Sequence, residues 1–141
     1  MAEVTDLLIL AQMSKGSPNE EDAFVLHDSP NDKVIYVIHS LRELVDVLNK
    51  ITPETLFPSL CRSTDDGFEC DIALWIHYVL GDGWLSAKVY NVINEFHDSP
   101  EKMKLEVFNL CFNRYLNFQE VLEFSDEFLV IEGTKTSPSD L

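Results

Sequence analysis

The sequence predicts an α+β fold: a helical layer around a central buried helix at about residues 100–116, packed on a small, mainly antiparallel sheet. Residues 99–116 (SPEKMKLEVFNLCFNRYL) carry the strongest helical pattern in the chain. Two β-branched and aromatic runs, 23–27 (AFVLH) and 33–39 (KVIYVIH), flank a Ser-Pro-Asn-Asp turn and predict a hairpin at 23–39. A third such run, 127–132 (EFLVIE), reads as a C-terminal strand able to join it.

Taken in order, residues 3–14 place Val4, Leu7, Leu8 and Ala11 on one helical face, with Lys15-Gly16 as the stop. Residues 17–22 are a polar connection. The second hairpin run is apolar on both faces, which predicts helical cover on one face and part of the other. Ser40 and Glu43 form a capping box that opens a helix to about Ile51, with Leu41, Leu44, Val45 and Leu48 at helical spacing. Thr52-Pro53-Glu54 starts a short helix that Pro58 limits, and residues 62–67 (RSTDDG) are the most loop-like interior segment.

Residues 71–80 read as a helix with Ile72, Trp75, Ile76, Val79 and Leu80 inward, ended by Gly81-Asp82-Gly83. Residues 84–97 form the next helix, with Leu85, Val89, Val92, Ile93 and Phe96 inward. In the central helix Ser99 is the N-cap and Pro100 the first helical residue. Polar residues recur along Lys102, Glu106, Asn109 and Asn113, and almost everything off that stripe is apolar, so Phe108 and Phe112 are expected on the buried side. Asn117 and Glu120 would cap a short helix at 118–124. Residues 1–133 are expected to be one globular domain and 134–141 a disordered tail.

Composition constrains the function. Twenty-five acids against ten bases give a net charge of −15 in 141 residues. The acidity is spread along the whole length. It opposes direct nucleic-acid binding and association with an anionic membrane, and it favours a basic protein partner. No apolar run is long enough for a membrane span, and the N-terminal stretch lacks the basic start of a secretory signal. The three cysteines, Cys61, Cys70 and Cys111, have no framework spacing and read as free thiols in a cytoplasmic protein.

The sequence carries few signatures of chemistry. Five glycines supply no phosphate loop, so no cofactor is expected. Cys61, Cys70 and His77 match no zinc spacing, and no metal is expected. His27 and His39, at the ends of the hairpin strands, could face each other. What remains are acid clusters at loops and element ends: Glu20-Glu21-Asp22; Asp65, Asp66, Glu69 and Asp71, with Phe68 beside them as an aromatic anchor; and Glu120, Glu123, Asp126 and Glu127. The second and third clusters are the expected partner-binding residues.

The strand and capped helix at 33–51 resemble the opening of the barstar-type ribonuclease inhibitors, a generic pattern that assigns no family. The acidic composition and the lack of a catalytic motif set the expected function: an acidic, protein-binding inhibitor or immunity protein that occludes the active site of a basic toxin, with a nuclease first among toxins. The alternatives are a phage or viral DNA mimic that occupies a host DNA-binding protein, and a small hydrolase using carboxylates or histidine.

Overall fold

In the computed structural model the backbone is described for residues 2–16, 19–28 and 33–136, and side chains for 7–16, 19–27 and 33–124. The fold is α+β: six helices and two antiparallel hairpins among the described residues. Helix α1 (Ala2–Met13) ends as the sequence implies. Gly16 has φ of 71°, and a Cβ there would run into the carbonyl of His39. A single 3₁₀ turn, Glu20–Asp22, leads into the hairpin of β1 (Phe24–Asp28) and β2 (Lys33–Ile38).

Leu26 and Ile38 are buried on the inner face of that hairpin, and Phe24 packs 6.1 Å from the Trp75 ring. The strands carry a bulge between Leu26 and His27. The register sets His27 opposite Val34 and Ile38 opposite Phe24, so His27 and His39 lie at opposite ends of the hairpin and do not face each other.

Helix α2 (Leu41–Lys50) buries Leu41, Leu44, Val47 and Leu48, and α3 (Pro53–Leu60) buries Leu56 and Leu60. Residues 62–67 are not a simple loop. They form a second hairpin, β3 (Arg62–Thr64) and β4 (Gly67–Glu69), with Asp65 and Asp66 as its two-residue turn. Gly67, with φ of 137°, lets the chain re-enter the strand. Helix α4 (Asp71–Tyr78) follows, then α5 (Gly83–Phe96), which packs on it.

The last helix, α6 (Pro100–Thr136), is the hub, contacting α1, α2, α3 and α5. It departs from the sequence expectation in length and in burial. Residues 127–132 are not a strand joined to the hairpin; they continue α6. Asn117 does not start a new helix, because it sits exposed in mid-helix where its side chain is solvated. From Glu101 to Glu132 the chain has no proline or glycine. Extending an existing helix adds one hydrogen bond per residue fixed, whereas an isolated strand gains nothing until it finds a partner. That local advantage overrides the β preference of Phe128–Ile131 residues. The expected tail at 134–141 begins inside α6, which runs to Thr136; the remainder lies outside the described residues.

The buried stripe of α6 is also narrower than expected: Met103, Val107, Cys111, Arg114 and Phe118, at spacings of 4, 4, 3 and 4. Leu105 is 56% exposed and Phe112 38% exposed. Phe112 therefore belongs to the edge of the core, stacked on Phe108 with centroids 5.5 Å apart. The sheet does not lie under α6; β2 reaches the helical layer chiefly through α2. Among the described residues no helix is long and apolar enough to cross a membrane.

Candidate interaction site

The β3–β4 hairpin separates the first acid cluster into two roles. At its base, Arg62 Nη2 donates to Glu69 Oε1 at 2.7 Å and to Asp71 Oδ1 at 2.6 Å. Asp71, then Glu69, hold the guanidinium firmly in its charged form. All three side chains are solvent-exposed, so the pairs contribute little to stability; they link the base of the hairpin to the start of α4. At its tip, Asp65 and Asp66 are exposed. Thr64 Oγ1 donates to the Gly67 carbonyl at 3.1 Å and closes the turn behind them.

Phe68 lies between base and tip, but its ring faces inward. It stacks on His97 at 5.0 Å and 28° and packs against the core, tying the hairpin to the end of α5. Alternation along a strand explains this: Phe68 takes the face opposite its neighbours Gly67 and Glu69. Phe68 positions the site, then, while Asp65 and Asp66 present it. Glu120 and Glu123 are exposed on α6, and the backbone of Asp126 and Glu127 continues that helix, their side chains lying outside the described residues.

Among the described residues the cysteines and histidines form no shared site. Cys61 and Cys70 are buried free thiols, and His77 is exposed against Tyr78. Cys70 Sγ caps α4, accepting from the Ala73 amide at 3.3 Å, and burial pushes its thiol up to about 12. Among the described residues no three His, Cys, Asp or Glu side chains are placed to share a metal ion.

His39 is more engaged than its strand-end position implied. Its Nδ1 lies 3.1 Å from Glu43 Oε1 and its Nε2 3.4 Å from Glu20 Oε2. Its backbone amide donates to the same Glu43 oxygen at 2.7 Å. Ser40 Oγ meanwhile accepts from the Glu43 amide, so the capping box forms with its return bond on His39 rather than on Ser40. The Glu43 hydrogen bond, outweighing burial, raises the imidazole pKa, with a further contribution from Glu20.

A groove of about 510 Å³ runs between α2 and α6, lined by Arg42, Glu43, Val45, Asp46, Asn49, Phe108, Phe112 and Tyr115. Its two carboxylates are already engaged, Glu43 by His39 and Asp46 by Lys50 at 2.8 Å.

The sequence reading missed the one buried ion pair among the described residues. Arg114 Nε and Nη2 donate to Asp82 Oδ2 and Oδ1 at 2.8 and 3.0 Å. Its guanidinium lies 4.4 Å from the Trp84 ring and 4.7 Å from the Phe118 ring. Asp82 also caps α5 through the Leu85 amide at 3.0 Å. The available signal was a lone arginine in phase with Met103, Val107, Cys111 and Phe118 on the buried stripe. No family model, curated protein or solved structure matches this chain.

Proposed function

We propose that this protein is an acidic, protein-binding inhibitor or immunity protein of the cytoplasm, which covers the basic active site of a toxin, with a nuclease as the toxin class. The observation that carries the reading is the β3–β4 hairpin. Glu69 and Asp71 share the single Arg62 guanidinium at its base, while Asp65 and Asp66 stand exposed at its tip. Two adjacent carboxylates on a short turn, oriented by an ion-paired base, suit lysine or arginine side chains that line an anion-binding cleft. The chain's net charge of −15 adds long-range attraction to any such surface. Glu120 and Glu123, exposed on α6, form a second acidic surface for the same class of partner.

Affinity capture from the native source tests the reading, with wild type and the Asp65→Asn/Asp66→Asn variant as parallel baits. The expected result is a basic protein retained by wild type and depleted with the variant. Equal retention on both baits would remove the hairpin tip from the interface.

A further inference from the structure

The wet stripe of α6 is uncharged in its middle. Asn109, Asn113 and Asn117 are exposed at four-residue intervals, with Glu106 before them and Glu120 after, all within about 80° of the helix surface. The three carboxamides line a cavity of about 340 Å³ together with Trp84 of α5. The indole is 51% exposed, although Arg114 at 4.4 Å and Lys88 at 5.4 Å brace its ring. Among the described residues neither the indole N–H nor any of the three carboxamides makes a hydrogen bond, and neither Glu106 nor Glu120 makes an ion pair. Asparagine is a weak helix former, and three on one face weaken α6 with no bond inside the protein in return. Departures of this kind from local preference concentrate at functional surfaces.

We propose that this face binds an extended peptide segment of a partner protein, about seven residues long with lysine or arginine at both ends. The spacing selects the occupant. Successive carboxamides stand about 6 Å apart along the helix. In an extended chain the N–H and C=O of every second residue face the same way, at a repeat of about 6.6–6.8 Å. Each carboxamide can accept from one such N–H and donate to the C=O of the same residue. The mismatch adds up to under about 2 Å across the two steps, which side-chain rotation absorbs. A helical segment would offer nothing to the ladder, because its N–H and C=O groups are already paired. Glu106 and Glu120 stand about 21 Å apart along the axis, the span of about seven extended residues, and supply the counter-charges for the ends of the segment. A neutral glycan could use the indole and the amides, but it would give neither carboxylate a counter-charge. None of these residues belongs to the β3–β4 hairpin, so this surface is independent of the acidic tip.

The test is selection from a phage-displayed library of peptides of about seven residues, first depleted on the Asn109→Ala/Asn113→Ala/Asn117→Ala variant and then enriched on wild type. Circular dichroism shows that each variant is folded, as exposed positions allow. The expected result is a family of peptides with lysine or arginine towards both ends. With the tightest of them synthesised and labelled, fluorescence anisotropy should show binding weakened about tenfold by Asn113→Ala. N-methylation of alternate peptide nitrogens should abolish binding in one phase, where they face the ladder, and be tolerated in the other. A depleted library with no peptide that binds wild type below about 1 mM would overturn the proposal. So would peptides that tolerate N-methylation equally in both phases, or a glycan array that retains wild type when the peptide library yields nothing.

Discussion

Replacing Arg114 with methionine keeps much of the side chain's apolar stem and removes its charge from the interior of α6. In the native protein the guanidinium makes two hydrogen bonds to Asp82, at 2.8 and 3.0 Å, between the Trp84 and Phe118 rings. Breaking a buried pair by deleting one partner costs about 3–5 kcal/mol, because the other charge is left without compensation. Losing the ring contacts adds about 0.5–2 kcal/mol. Two features reduce the total. Asp82 keeps its bond from the Leu85 amide, and a cavity of about 340 Å³, lined in part by Arg114, Trp84 and Asn113, lets water approach. The expected loss is therefore about 3 kcal/mol, read by urea unfolding followed by far-ultraviolet circular dichroism. Asp82→Asn preserves a good N-cap and isolates the charge term. The double variant should be less destabilised than the sum of the two single changes, since neither unpaired charge then remains. An Arg114→Met loss under about 1 kcal/mol, or strict additivity in the double variant, would refute the claim that this pair joins α5 to α6.

Other outcomes follow from the same packing. Phe118→Ala, at a fully buried position, should cost about 3–5 kcal/mol, whereas Phe112→Ala, at a half-open position stacked on Phe108, should cost under about 2 kcal/mol; chemical denaturation ranks them. The raised folded-state pKa of His39 gives stability that is fully present below its unfolded value of about 6.5 and is lost as pH rises through the folded value. The stability difference between wild type and His39→Gln should thus be larger near about pH 6 than near about pH 8.5, and a difference that is flat or grows with pH contradicts the Glu43–His39–Glu20 bridge. Burial raises the pKa of all three thiols, Cys70 to about 12, so a thiol reagent should find none reactive in native protein and all three in urea.

Much of the helical layer was legible because its signals are local. Gly16, the Ser40–Glu43 box, Ser99-Pro100 and the 3.6-residue spacing of the apolar residues each specify an end or a face without knowledge of the rest of the chain. The first hairpin was legible for the same reason, from two β-rich runs and a turn. The run at 127–132 misled because its composition suits a strand, while the deciding fact is continuity with a helix already formed upstream. The second hairpin was obscured by its length: three residues per strand carry almost no periodicity, and Asp65-Asp66-Gly67 reads equally as loop or turn. Within the candidate site, the acids were visible as composition. Their division into a paired base and an open tip depends on the cross-strand register of Arg62 with Glu69, which spacing along the chain does not display. The inward turn of Phe68 and the pairing of Asp82 with Arg114 depend in the same way on tertiary contacts.

The central claim is that Asp65 and Asp66 steer this protein onto a basic surface, and binding kinetics at two salt concentrations measure it most directly. With the captured partner immobilised, wild type should associate quickly at about 0.01 M salt and much more slowly at about 0.15 M, as the Debye length falls from about 30 Å to about 8 Å. Asp65→Asn/Asp66→Asn should leave folding within about 0.5 kcal/mol of wild type, because both side chains are exposed at a hairpin tip. The same variant should lower the association rate if the tip steers from the rim, or raise the dissociation rate by the equivalent of about 2–5 kcal/mol if it is buried against lysine or arginine. Kinetics identical to wild type at both salt concentrations would contradict the claim and transfer the interface to the acidic face of α6 at Glu120 and Glu123.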